Sequence, residues 1–258
     1  MMKYRIKIII NKILQIFNLK LIKNKHSGVI DKRILIPFQN YNRKYNLYFE
    51  GLKKSQNLVS DNFFKQSRHL DLMNLAEITL KKNITGDFAE AGCWRGHSSF
   101  LLSKLITENN QNKIKFHIFD SFKGLSDNLK EDNYISKLSV KQKNQIKSQF
   151  VSDEKFVKEE VLGKFDFVKI YKGWIPERFK EVENSKFSFV HIDVDLFEPT
   201  LNSLEFFFPR LSDGGIIVCD DYNSLEFDGA KKAWDKFFLN KKVSLNFAPS
   251  LGSSFVIK

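Results

Sequence analysis

The chain has 258 residues, of which 42% are hydrophobic, including 26 Phe, and 28% are charged. That is enough for one large α/β domain with an appendage and a sizeable core, in the range of an ordinary soluble protein. A net charge of +12 follows from a composition rich in Lys, Asn and Ile and needs no nucleic-acid partner, while Cys93 and Cys219 lack metal-ligand spacing and read as small buried hydrophobes of a reduced, cytoplasmic protein.

The first stretch, "MMKYRIKIIINKILQIFNLKLIKNKH", has basic residues ahead of apolar ones, as a signal peptide does. Lys7, Asn11, Lys12, Gln15 and Asn18 interrupt the apolar run and no small-residue cleavage site follows, so neither a signal peptide nor a membrane span is expected. Ile6, Ile9, Ile10, Ile13, Phe17 and Leu21 recur at helical spacing with Lys7, Asn11, Gln15 and Asn18 opposite. The spacing predicts a basic amphipathic helix, docked on its own domain or on a second copy in a homo-oligomer. The alternative is peripheral contact with anionic lipid, which makes the protein membrane-associated. Residues 25–60 have aromatics without a clean period and read as a connecting or lid region. The expected division is therefore residues 1–59, N-terminal helix and lid, and residues 60–258, the catalytic domain.

Ser60 or Asp61 can cap a helix through "NFFKQSRHLDLMNLAEITLKK". From there strand and helix signals alternate. "GDFAEAG" is a strand followed by a helix from about residue 96 to 108, and "IKFHIFD" (114–120) is a second strand. A polar insertion covers 123–150, and "FDFVKIYKG" (165–173), "FSFVHID" (187–193) and "GGIIVCDDY" (214–222) are further strands. "SSFVIK" closes the chain as a last strand. The alternation implies a largely parallel sheet with helices on both faces.

In such sheets ligands bind beyond the carboxyl ends of the strands. Acids stand at four of the five central strand ends: Glu90, Asp120, the pair Asp193 and Asp195, and the pair Asp220 and Asp221. Their joint position on one rim is more informative than any one of them. "EAGCWRGHSS" sets Gly92 and Gly96 around a strand-to-helix turn without the third glycine of a dinucleotide loop. An acid at Glu90 disfavours phosphate and suits a cationic ligand such as S-adenosylmethionine, whose carboxylate can take backbone N–H groups near His97 and Ser98. Asp120 is placed to accept ribose hydroxyls. Asp193, Asp220 and Asp221 converge if their strands are neighbours. With no matching Lys or Arg nearby they would repel, a problem that a divalent cation removes, and all-oxygen ligands favour Mg²⁺.

The motifs "EAGCWRGHSS", "FDSFKGL", "KGW", "HIDVDLFEPT" and "GGIIVCDDY" together resemble the macrocin O-methyltransferase family. That resemblance implies a Rossmann-like class I methyltransferase fold with a mostly parallel seven-stranded sheet, helices on both faces and a reversed final strand. It implies S-adenosylmethionine- and Mg²⁺-dependent methylation of a hydroxyl on a sugar or glycan-like small molecule. By resemblance, Glu90, Ala91, Gly92, Cys93, Trp94, Gly96 and Ser98 form the cofactor loop, with Asp120, Ser121 and Phe122 at the ribose and Gly173 and Trp174 at the adenine. Asp193 lies beside the cofactor, binds the metal with Asp220 and Asp221, and is the expected base, with Asp195 as the alternative. A catechol-like or other natural-product O-methyltransferase and an NAD-binding oxidoreductase are the competing readings.

Overall fold

The structure is a computed structural model that describes residues 19–21, 29–31, 42–57, 61–111, 113–224, 226–248 and 253–258. Residues 1–18, on which the amphipathic helix and its membrane or subunit contacts were expected, lie outside these, as does Ser60. Leu19–Leu21 is a short strand, β1, paired antiparallel with β2, Val29–Asp31. The helical spacing therefore does not carry through to Leu21, because pairing with a second strand overrides it there. Among the described residues no helix is long and apolar enough to cross a membrane.

Helix α1 is Asn42–Lys54 and α2 is Phe63–Lys81. The cap of α2 is Asn62, whose side chain accepts the Lys65 N–H at 3.0 Å. Asp61, an expected cap, instead accepts the Tyr48 hydroxyl (2.8 Å) and the Gln66 amide (3.0 Å). β3 (Asp87–Ala91) leads through α3 (His97–Glu108) to β4 (Phe116–Asp120). The polar insertion then holds α4 (Asn133–Ser136) and α5 (Val140–Gln149). A short α6 (Glu154–Phe156) runs into a π-helical turn, Val157–Val161, before β5 (Val168–Lys172). A 3₁₀ segment (Glu177–Val182), β6 (Phe187–Ile192), α7 (Phe197–Arg210), β7 (Leu211–Cys219) and α8 (Asp228–Phe238) follow, then β8 (Leu245–Phe247) and β9 (Ser254–Ile257).

The main sheet has seven strands in the order β5-β4-β3-β6-β7-β9-β8, parallel except that β9 runs against β7 and β8. Side chains alternate across it as the pleat requires. Phe88, Phe116, Ile118, Phe189, Ile216 and Val218 face a core shared with α1, α2 and α3. Ala89, Ala91, Phe119, Val190, Ile192, Ile217 and Cys219 face a second core with α7 and α8. Both faces are covered, which is why the central strands read as continuous apolar runs. β7 starts earlier than expected, at Leu211 rather than at the Gly214-Gly215 pair. β8 was not foreseen: it has three residues, all exposed, and its alternation of Leu245, Asn246 and Phe247 is too short to stand out.

Helix α1 contributes to the first core, with Leu47, Tyr48 and Leu52 buried in it. It docks on α3 most closely where Gly51 meets His97. A Cβ on Gly51 would lie 2.8 Å from His97 Cδ2, so a glycine there admits the imidazole. His97 Nε2 lies 2.9 Å from the Tyr48 carbonyl oxygen, an acceptor only, and so carries the proton, while buried Nδ1 has no partner. Burial, then the nearby Lys65 charge, pushes the imidazole down to about 3, against the opposing effect of the Tyr48 carbonyl.

A folded-state value below the unfolded one of about 6.5 means that the unfolded chain binds more protons in the interval between them, so stability is lost as pH falls from about 6.5 toward 3. The midpoint of thermal unfolding, followed by circular dichroism, is expected to drop over pH 7 to 4.5. His97→Gln is expected to be less stable at pH 7 but to show a shallower slope; an unchanged slope would remove His97 from the account.

Candidate active site at the carboxyl edge of the sheet

The chain runs outward from β3 through β4 to β5 and then jumps back to β6 on the other side of β3. Loops after β3 and β6 therefore diverge at a topological switch point, where open α/β sheets bind ligands. They touch through backbone. Gly92 has φ +84, and a Cβ there would lie 1.9 Å from the Asp193 carbonyl oxygen. Only glycine fits, and this fixes where β6 releases Asp193. The Asp193 N–H donates to the Ala91 carbonyl and the Gly92 N–H to that of Phe119, each at 2.8 Å, tying three strand ends together.

One cleft opens at this point. Of the expected site residues, Gly92, Trp94, Asp120, Ser121, Gly173, Trp174 and Asp193 line it, together with Asp195. Glu90, Ala91, Cys93, Gly96, Ser98, Phe122, Asp220 and Asp221 do not: all are buried in the fold beneath it, Gly96 capping α3 against Val157 and Val161. The sequence reading missed Phe150, Ile175, Glu177 and Asn202 on the cleft wall. Phe150 arrives there because Lys123 and Val151 bridge the two ends of the insertion, and its ring lies 6.0 Å from that of Trp94. Asp132 pins the insertion from the other side, accepting the Phe197 N–H at the start of α7 (2.8 Å).

Asp120 has a structural duty. Its Oδ2 accepts the N–H groups of Cys93 and Trp94, each at 2.8 Å, and its Oδ1 accepts that of Phe122 at 2.7 Å. A carboxylate offers about four lone-pair directions, so about one remains for a ligand hydroxyl rather than the pair expected from the sequence.

Glu90 answers to a partner inside the protein. It is fully buried, its Oε1 lies 2.9 Å from His191 Nδ1 in the neighbouring strand, and its Oε2 accepts the Ser99 hydroxyl. His191 Nε2 in turn lies 3.7 Å from Asp220 Oδ1, an ion-pair separation. Burial lowers the imidazolium's proton affinity, but Asp220 and Glu90 outweigh it and raise His191 to about 10. The cation that Glu90 was expected to seek in a ligand is His191.

Asp193, Asp220 and Asp221 do come together, one carboxylate oxygen from each lying within 4.8 Å of the others. Burial, then the charges of Asp220 and Asp221, holds Asp193 well above the usual carboxylate range, and burial, then Asp221, does the same to Asp195. Burial and Asp220 lift Asp221 to about 6. Asp220 goes the other way: burial opposes, but Arg68 and then His191 keep it below the usual range. Arg68 corrects the expectation that no cation stands near these acids. It reaches in from α2, with Nη1 paired to Asp220 Oδ2 and 3.5 Å from Asp221 Oδ1. Asp195 takes a left-handed backbone, φ 62, and donates its N–H to Asp221 Oδ2 at 3.0 Å.

Comparisons with known proteins bear on this arrangement. The demethyldecarbamoylnovobiocin O-methyltransferase of Streptomyces niveus is 26% identical over 158 residues, 59% of this chain and 58% of its own length. The 8-demethyl-8-(2,3-dimethoxy-alpha-L-rhamnosyl)-tetracenomycin-C 4'-O-methyltransferase of Streptomyces olivaceus is 25% identical over 153 residues, 59% of each chain. The chain thus spans about three fifths of the length of these curated relatives. Among solved structures, the O-methyltransferase NovP superposes with a TM-score of 0.59 at 20% identity, over 74% of this chain and 79% of that one. The calicheamicin methyltransferase CalS11 gives 0.58 at 17% identity over 91% and 99%. These likenesses show a shared class I O-methyltransferase fold. The sequence model of the macrocin O-methyltransferase family, TylF, matches residues 52–248, from the end of α1 across the sheet to β8, and the chain belongs to that family.

Proposed function

We propose that the protein is an S-adenosylmethionine-dependent O-methyltransferase acting on a hydroxyl of a sugar or glycan-like diol with the help of a divalent cation. The observation that carries this reading is the meeting, at one switch point, of the Asp120-braced glycine loop with three carboxylates close enough to share an ion. Membership of the family supports the reaction class. The sugar acceptor is supported by the relative named for methylating a rhamnosyl-tetracenomycin. Nothing in the family match favours an oxidoreductase.

The donor set fits a hard cation. Opposite oxygens across an ion with bonds of about 2.0 to 2.6 Å lie about 4 to 5 Å apart, which accommodates the observed 4.8 Å spread. Asp193, Asp220 and Asp221 would hold it. When bound, S-adenosylmethionine supplies an electrophilic methyl group on sulfonium, and the ion supplies a Lewis acid for the acceptor hydroxyl.

The chain's own residues do the rest. Gly92 presents bare backbone to the cleft, and Asp120 accepts one ribose hydroxyl with its remaining lone pair. Trp174, 40% exposed beside Gly173, offers a flat face to the adenine. Asp195 also lines the cleft but lies outside the ligand set. A carboxylate committed to a cation is a poorer proton acceptor, so Asp195, rather than Asp193, takes the acceptor proton. With its proton on Asp195, the acceptor oxygen would be free to take the methyl group that bound S-adenosylmethionine would supply, the sulfonium becoming a neutral thioether. Positioning of the two reactants in line supplies most of the acceleration.

Methyl transfer from labelled S-adenosylmethionine to a panel of nucleotide sugars, glycans and a catechol is expected to favour a sugar, to stop with EDTA and to return with Mg²⁺. Full turnover in EDTA would dismiss the ion. Asp193→Asn is expected to lose Mn²⁺ binding, measured by titration calorimetry, along with turnover. Asp195→Asn should keep Mn²⁺ binding and lose kcat by about 10² to 10⁴, the usual weight of a general base. Near-normal kcat in Asp195→Asn would return the proton to Asp193.

A further inference from the structure

The oxygens of the Asp220–Asp221 pair are divided between two kinds of partner. Asp220 Oδ1 faces inward, accepting the Ser253 hydroxyl at 3.2 Å and facing His191. Asp221 Oδ2 accepts the Asp195 N–H. The other two, Asp220 Oδ2 and Asp221 Oδ1, face Arg68. Arg68 thus takes the oxygens that the scaffold leaves unclaimed, which are those an ion needs.

Its grip is incomplete. A guanidinium held for architecture alone commonly pairs through two parallel N–H groups. Here Nη1 serves both carboxylates and the Asp220 carbonyl oxygen, the last at 3.5 Å, while Nε is buried with no partner. A buried donor without an acceptor costs about 1 to 3 kcal/mol. The side chain keeps 28% of its surface exposed, so water reaches it. His191, the other cation of the cluster, is only 1% exposed, 2.9 Å from Glu90 Oε1 and, through an Nε2 that makes no hydrogen bond, 3.7 Å from Asp220 Oδ1.

We propose that Arg68 is the displaceable counter-ion of the Asp193–Asp220–Asp221 site: its guanidinium neutralises the Asp220–Asp221 pair in the ion-free protein, and a divalent cation binds by taking those oxygens from it. This rests on the reading of the three aspartates as a metal site. Arg68 then sets the affinity for the ion. It lowers that affinity, because entry must break the ion pair and set two cations side by side, and it prevents the pair from repelling itself open when no ion is present. Arg68 is a positioning residue and touches no reactant.

The test is Mn²⁺ binding to the full chain, read by titration calorimetry and by the Mn²⁺ electron paramagnetic resonance signal, without donor or acceptor. Arg68→Met and Arg68→Gln remove the charge and Arg68→Lys keeps it. Thermal unfolding is measured in EDTA and in Mn²⁺, and retained S-adenosylhomocysteine binding certifies the fold of each variant. Arg68→Met and Arg68→Gln are expected to bind Mn²⁺ at least about tenfold tighter, to melt lower in EDTA, and to gain more from Mn²⁺ than the wild type; Arg68→Lys should stay near wild type. Mn²⁺ binding by Arg68→Met but not by the wild type would support the same conclusion. Equal or weaker binding in both neutral variants, with wild type binding intact, would overturn the role of Arg68 and leave the metal site standing. Failure of every form to bind Mn²⁺ would overturn both.

Discussion

Burying negative charge at the carboxyl edge of a parallel sheet is the constraint on which this molecule turns. Glu90, Asp195, Asp220 and Asp221 are all buried, and Asp193 joins them at the cleft wall. Ionised carboxylates removed from water are costly unless paired, and neighbouring ones repel. The fold answers from two sides. Register sets His191 of β6 beside Glu90 of β3, and α2 crosses the sheet so that Arg68 reaches Asp220 and Asp221. One cation is sealed in and the other keeps part of its side chain exposed.

The switch point supplies the second requirement, a cleft that exists before any ligand arrives. The contact of Gly92 with the Asp193 carbonyl lets β3 and β6 end side by side, and Asp120 gathers three amide groups from the loops after β3 and β4. A carboxylate that organises the loop in this way is held in place before any ligand arrives. Preformed sites of this kind avoid part of the ordering cost of binding.

Much of this was legible in the sequence. Parallel strands buried on both faces announce themselves as apolar runs, and acids at their ends mark the rim. The positions of Asp120, Asp193, Asp220 and Asp221 followed from that alone. Arg68 did not, because it lies on a helix ahead of the first strand of the main sheet, and only the crossing of α2 over β6 and β7 brings it to the acids. The fate of Glu90 depended on strand order and register, since His191 is its neighbour across β3 and β6 and not along the chain. Helix α1 was hidden although its buried positions Lys44, Leu47, Tyr48, Gly51 and Leu52 keep helical spacing, because a lysine and a glycine stand among them and interrupt the apolar pattern.

Backbone conformation ties these strands of argument together. Among the described residues, six other than glycine have positive φ: Gln56, Asn83, Asn110, Trp94, Phe122 and Asp195. The first three follow the ends of α1, α2 and α3, where a left-handed residue closes a helix. The other three stand on the loops after β3, β4 and β6, at the cleft. Trp94 and Phe122 are poor choices for that conformation, which costs on the order of 1 to 3 kcal/mol where the side chain disfavours it. Each of the three donates its amide N–H to a rim carboxylate: Trp94 and Phe122 to Asp120, Asp195 to Asp221. A hydrogen bond to a charged acceptor contributes about 1.5 to 3 kcal/mol, enough to offset the strain. The rim acids therefore have two functions that cannot be separated. They present charge to whatever binds, and they hold open the turns that shape the cleft, so a neutral substitution at Asp120 or Asp221 alters loop geometry as well as charge.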